Sequence, residues 1–202
     1  MTEEHFSAIA AGNFTRTSFP DKKRLPLYIG SGTCGACFDG FGLMHEDLCA
    51  ASWPDGSRIT DATALMHQDH YIHAGFGMDY WIGLYQLKFA ERPAAPETES
   101  FPLYRQELTL PDGHLATHLQ RCDGSDVTLD ASFPPYMRDV LGMSLHYEGK
   151  MPEIVLSPVT HVNGSYGQTW DPTAIPDGNG FIVDTGTVRT KIEVRIISED
   201  GD

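Results

Sequence analysis

Three stretches of alternating character, Leu103–Leu110, His114–Arg121 and Ser125–Phe133, are separated by Pro111-Asp112-Gly113 and Cys122-Asp123-Gly124. An Asp-Gly pair between two alternating runs is hairpin chemistry, because glycine enters the left-handed backbone region without steric penalty. Two such turns in succession predict a meander of three antiparallel strands. The pleat sends every second side chain to the same side. Tyr104, Leu108 and Leu110 then share a face of the first strand, Leu115, Thr117 and Leu119 a face of the second, and Val127, Leu129, Ala131 and Phe133 a face of the third. That face is predicted to cover a core.

The remaining segments repeat this short-strand spacing. An entry strand is expected near Ala11–Phe19, before the turn residues Pro20-Asp21-Lys22-Lys23, and Trp53-Pro54-Asp55-Gly56 marks another turn. Arg58–Leu65, Asp79–Phe89, Val140–Tyr147, Glu153–Val159, Gly180–Val183 and Val188–Ile197 read as strands, and the proline-rich, acidic Glu91–Ser100 as a loop. Roughly ten to twelve short strands without a long amphipathic helix predict an all-β chain. Its expected form is a two-sheet antiparallel β-sandwich of the super-sandwich type, with a jelly-roll or cupin-like barrel as the alternative. A chain of 202 residues with 41% hydrophobic residues suffices for one domain, spanning 1–202, with a sizeable core.

Charge narrows the partners. Against 28 acidic residues stand 14 basic ones, a net charge of -14, and the longest basic run is Lys22-Lys23-Arg24. Phosphate backbones and anionic bilayers are poor partners for such a surface, so neither nucleic acid nor membrane is expected. The sequence as written shows no apolar run of spanning length and no basic-then-apolar leader, and with four cysteines a reducing, cytoplasmic setting is expected.

The glycine-rich stretch Pro26–Gly42 supports three readings. Gly30-x-Gly32-x-x-Gly35 follows the apolar Leu27-Tyr28-Ile29, as in a dinucleotide fingerprint, but that motif needs a helix opening at the turn, and Gly40 and Gly42 argue against one. Cys34, Cys37, His45 and Cys49 offer ligand types for tetrahedral zinc. On a strand, however, an offset of three points Cys34 and Cys37 to opposite faces, and buried thiols are common core residues. The third reading, glycines placed where neighbouring groups crowd the backbone, is the one adopted. No cofactor is expected.

Other polar clusters fit a sugar. His67, His70 and His73, with Asp69 and Asp79, could line a pocket, hold a metal in a jelly-roll enzyme, or form a plain solvated loop. Asp79-Tyr80-Trp81 and Tyr166-Gly167-Gln168-Thr169-Trp170-Asp171 set aromatic rings beside polar groups. Indole and phenol stack on sugar faces while carboxylates and amides take hydroxyls, although a tryptophan in a sandwich is as readily core. Glu46 and Asp47 do not make an acid and base pair, since neighbours on a strand point apart. His70, His73, Asp79, Trp81 and Trp170 are therefore the candidate substrate-binding residues, and no catalytic residue is assigned.

Two segments resemble a known family. Leu27-Tyr28-Ile29-Gly30-Ser31-Gly32-Thr33-Cys34-Gly35-Ala36 is similar to a glycine-rich strand opening, and Tyr104-Arg105-Gln106-Glu107-Leu108-Thr109-Leu110 with Gly113-His114-Leu115 to a strand-turn-strand. Both features occur in the N-terminal β-sandwich of glycoside hydrolases and disaccharide phosphorylases built on an (α/α)6 barrel, such as maltose-type phosphorylases and certain α-fucosidases. Ser31 stands where those enzymes usually carry Asn. The resemblance implies an accessory or substrate-side domain acting on carbohydrate beside a helical catalytic domain or subunit. In such enzymes the catalytic carboxylates lie on the barrel, so none is carried over here. A free-standing carbohydrate-binding module is the rival expectation. The segment His67–Trp81 is the expected docking flank, or a surface for self-association into a homo-oligomer.

Overall fold

The computed structural model describes residues 3–19, 27–30, 34–44, 51–52, 58–59, 65–69, 80–90, 101–137, 140–149, 153–158, 162–163, 169–170, 173–184, 189–193, 195 and 197. A short helix, α1 (Glu3–Ala10), opens the chain. It unwinds through hydrogen bonds from Ala11 N to Ser7 O and from Gly12 N to Ile9 O, which trims the expected entry strand to β1, Phe14–Arg16. Among the described residues no helix is long and apolar enough to cross a membrane.

Every other described element is a strand. In chain order these are β2 (Leu27–Gly30), β3 (Cys34–Phe38), β4 (Ala51–Ser52), β5 (Arg58–Ile59), β6 (Leu65–Asp69) and β7 (Tyr80–Phe89). The meander follows as β8 (Leu103–Thr109), β9 (His114–Gln120) and β10 (Asp126–Ser132), then β11 (Gly142–Glu148) and β12 (Ile154–Pro158). The chain continues with β13 (Val162–Asn163), β14 (Thr169–Trp170), β15 (Thr173–Asp177), β16 (Gly180–Asp184) and β17 (Arg189–Glu193). Two five-stranded sheets run in the orders β1-β8-β9-β10-β11 and β12-β7-β6-β3-β2, and β15-β16-β17 form a third. Among the described residues all the pairings are antiparallel, and no sheet closes on itself into a barrel. The expected strand Arg58–Leu65 resolves into β5 and the start of β6. His67, Gln68 and Asp69 therefore belong to a central strand rather than to a connecting segment.

The meander follows its turns. Gly113 and Gly124 take φ of 58° and 84°, and each amide closes its turn by donating to the carbonyl three residues back, Leu110 and Arg121. This sets the register Thr109 to His114 and Gln120 to Asp126, and β9 and β10 then bury every second residue. Three inward rows result. One runs Leu108, Leu115, Ala131, Met143; a second Arg16, Gln106, Thr117, Leu129, Leu145; a third Tyr104, Leu119, Val127, ending at the exposed Tyr147. Leu110, expected on the inner face, lies in the turn and is exposed.

The two sheets meet through two apolar clusters. Ile29, Cys34, Ala36, Phe38 and Met44 pack with Leu115, Ala131 and Phe133 of the meander. Phe41 and Leu43 pack with Tyr104, Leu119, Val127 and Leu129, and Leu87, Phe89 and Ile154 of the second sheet lie against them. Strands from both sheets line each cluster, which is what defines a sandwich. Between the clusters runs the second row, polar at Arg16, Gln106 and Thr117, all buried.

A tight turn after β3 fills that polar layer. Asp39, 1% exposed, accepts hydrogen bonds on Oδ1 from Phe41 N at 2.7 Å and Leu43 N at 3.2 Å, and its own N donates to Leu43 O. The meander grips the turn from one side: Gln106 Nε2 donates to Asp39 O at 2.8 Å and to Thr117 Oγ1 at 3.0 Å, and the Tyr104 hydroxyl donates to Gly40 O at 2.8 Å. From the other sheet, Leu87 O accepts from Met44 N at 2.8 Å. Around Phe41 the ring of Phe19 packs tilted at a centroid distance of 4.7 Å, and those of Phe89 and Phe101 meet it edge to face at 6.0 and 5.7 Å.

Gly42 closes this turn at φ 74°, and a Cβ there would lie 2.5 Å from Thr117 Oγ1 and 2.8 Å from Thr117 Cβ. Gly113 has a similar φ with nothing within 4 Å. Gly42→Ala should therefore cost about 2–5 kcal/mol, strain plus overpacking, against about 1–2 kcal/mol of strain alone for Gly113→Ala. Urea unfolding of the two variants checks this, and equal losses would contradict the crowding assigned to Gly42.

Candidate functional site

The glycine stretch is a hairpin. Gly30 ends β2 and pairs across with Gly35 in β3, so a strand, not a helix, follows the turn, and the dinucleotide reading lapses. Tyr28 explains two of the glycines. Its ring lies along the hairpin so that a Cβ on Gly30 would meet the phenol oxygen at 2.5 Å, and a Cβ on Gly35 would run into the same ring. Gly32 lies outside the described residues. Crowding by an aromatic side chain is the expected reason for glycine at such positions.

Along β3 the residues alternate without a shift. Cys34 is core, in the cluster with Ala36 and Phe38, whereas Cys37 is registered with Tyr28 in the opposite phase. Two cysteines so placed do not form the two-thiol half of a zinc site on one face. His45 and Cys49, the other two members of that alternative, lie outside the described residues. Burial pushes the Cys37 thiol from an ordinary 9.0 up to about 12. Burial, and then the neighbouring Cys37 and Cys34, also raise the Tyr28 phenol. Among the described residues, no group of three or more His, Cys, Asp or Glu converges on a point that could hold a metal ion.

Of the residues chosen from sequence as sugar contacts, Trp81 and Trp170 have described backbones. Trp81 sits in β7 opposite Gln68, and Trp170 in β14 opposite Val162. His67 stands opposite Cys34 on one side and Ile82 on the other, and Asp69 opposite Tyr80. His70, His73 and Asp79 lie outside the described residues, as do Glu46 and Asp47.

A different set of polar groups is fully in view on the solvent face of the meander sheet. The pleat that buries Gln106, Thr117 and Leu129 turns the intervening residues outward, and register lines them up in rows. One row crosses four strands as Arg105, His118, Thr128 and His146. The rows on either side hold Gln120, Asp126 and Glu148, and Glu107, Ala116, Asp130 and Ser144. Diagonal pairs tie the rows together. His118 Nε2 lies 2.7 Å from Asp126 Oδ1, and His114 Nε2 lies 3.1 Å from Asp130 Oδ1. Arg105 Nη2 donates to Glu107 Oε1 at 2.6 Å, and this bond holds the Glu107 carboxyl below its ordinary range.

In each His–Asp pair the carboxylate fixes the orientation of an imidazole whose other ring nitrogen remains for solvent or a ligand. On a solvated sheet such pairs also serve as ordinary cross-strand contacts, each contributing about 0.2–1 kcal/mol. Asp126 and Asp130 do not make a glycosidase pair with each other. Four residues apart on one strand they stand about 13 Å from one another, beyond the roughly 5–9.5 Å that retaining and inverting mechanisms use. Sequence reading passed over this face because polar residues in the outward phase of a strand look like plain solvation. The signal was nonetheless present in the turn-defined register, which aligns His114, His118, Asp126 and Asp130 on one side.

No family model matches the chain, and neither a curated protein nor a solved structure matches it.

The raised thiol gives a test of this local picture. For Cys37 the folded form stays protonated where the unfolded thiol ionises, so its contribution to stability is full below about pH 9 and falls as pH rises toward about 12. Cys37→Ala should flatten the alkaline fall of the unfolding free energy relative to wild type. Iodoacetamide at pH 8 should leave the Cys37 peptide unmodified in the native protein and label it in urea. Rapid native labelling of Cys37 would contradict the protection assigned to this half-buried thiol.

Proposed function

We propose that this chain is a β-sandwich accessory domain of a carbohydrate-processing enzyme, which contributes sugar binding while a helical catalytic domain or subunit contributes the chemistry. The observation that supports it is the solvent face of the meander: an array of donors and acceptors, Arg105, His118, Asp126, Thr128, Asp130 and His146, held in register by the strands beneath. Hydroxyl-bearing ligands suit such an array, because each hydroxyl both donates and accepts. The net charge of -14 favours neutral sugars over sulfated or uronic ones. The openness of the same face also supports the second reading, a free-standing carbohydrate-binding module.

Binding of the purified 202-residue chain to an array of neutral glycans tests the proposal. The expected outcome is retention of a defined subset, lost in a His118→Ala/Asp126→Ala variant whose stability changes by less than about 1 kcal/mol, since the pair is partly exposed. Aryl glycosides should not be turned over by the chain alone. An empty array, binding indifferent to this substitution, or hydrolysis by the isolated chain would each overturn the accessory-domain reading.

A further inference from the structure

Sheet edges expose unpaired backbone groups, and proteins protect them with short strands, charge or proline. Most described edges here follow that rule. β1 has three residues and β2 four. β12 ends in Pro158 and β15 contains Pro176, while β17 alternates Arg189, Lys191 and Glu193 outward. β11 does not. It is seven residues long, pairs with β10 over its whole length without a bulge, and has no second strand beside it among those described. It contains neither lysine, arginine nor proline, and its one acidic residue, Glu148, is the last. Tyr147 within it and Val140 just before it are exposed.

We propose that β11 is a docking edge for a second copy of this chain, joining two meander sheets into one continuous antiparallel sheet across a two-fold axis at Leu145. The sequence of the edge is self-complementary in that register. Antiparallel pairing about Leu145 sets Gly142 opposite Glu148, Met143 opposite Tyr147, Ser144 opposite His146, and Leu145 opposite its own copy. No like charges face each other, so the usual electrostatic penalty on an edge is absent. Met143 and Leu145, which lie against the second apolar cluster, and Tyr147 would extend the inner rows across the junction. A twofold axis makes the contact isologous, so it closes at two copies rather than growing into a fibre.

The surrounding charge sets the salt dependence. Two chains of net charge -14 repel, while the edge itself contributes almost no charge, so association tightens as salt rises. A partner recruited by ion pairing would show the opposite trend.

Sedimentation equilibrium of the full chain at low and at about 1 M salt, where screening acts within about 3 Å, reads this directly. Expected are a monomer–dimer equilibrium shifted toward dimer by salt, and association weakened roughly tenfold by Ser144→Lys/His146→Lys, which opposes lysines at two symmetric positions. Ser144→Lys/His146→Glu, which opposes lysine to glutamate, should restore wild-type affinity to within about threefold. Both positions are exposed, so circular dichroism should show the fold unchanged in each. A chain that stays monomeric at high salt and high concentration overturns the proposal, as does a dimer on which the two variants act alike.

Discussion

A single buried carboxylate organises the centre of this sandwich. Asp39 holds the backbone amides of Phe41 and Leu43 in a turn that follows β3 and contacts both sheets. A turn inside a core leaves its peptide groups away from water, and each unmet donor or acceptor there costs about 1–3 kcal/mol. The neighbouring polar side chains meet that demand: Gln106 takes the Asp39 carbonyl and Tyr104 the Gly40 carbonyl. Phe41 and Leu43 can then enter the second apolar cluster, and Met44 ties to β7. The polar layer is what allows one segment to touch both sheets.

This inner arrangement fixes the outer one. Once Gln106 and Thr117 are committed to the turn, the phase of β8 and β9 is set, since slipping by one residue would bring Arg105 and Ala116 inward. Arg105, His118, Thr128 and His146 are outward for the same reason that Gln106 and Thr117 are inward. A ligand-binding face built on such strands has its side-chain spacing dictated by the pleat, and its precision depends on the layer beneath.

The meander could be read from sequence because its information is local. Two Asp-Gly turns and a period of two fix strand, face and register together, and β9 and β10 alternate as that pattern requires. The polar layer was less legible. Gln106 lies in the same phase as Tyr104 and Leu108, yet a lone glutamine among apolar neighbours does not announce that it satisfies a turn about seventy residues away in the chain. The helix α1 carried a weaker sign: Glu3 and Glu4 suit a helix N-terminus, and Phe6, Ile9 and Ala10 fall at helical spacing, but about two turns lie below what periodicity resolves. Of the site residues expected from sequence, His70, His73 and Asp79 lie outside the described residues. The His–Asp pairs of the meander depend on cross-strand register, which composition does not show.

The Asp39 turn, held by the polar layer, is what locks the sheets in place. The unfolding free energy of Asp39→Ala, measured in urea, tests it most directly. Losing the carboxylate leaves two buried amides without an acceptor, so the expected loss is about 2–5 kcal/mol. A variant within about 0.5 kcal/mol of wild type, the range of ordinary surface substitutions, would show that the turn is not what the sandwich depends on.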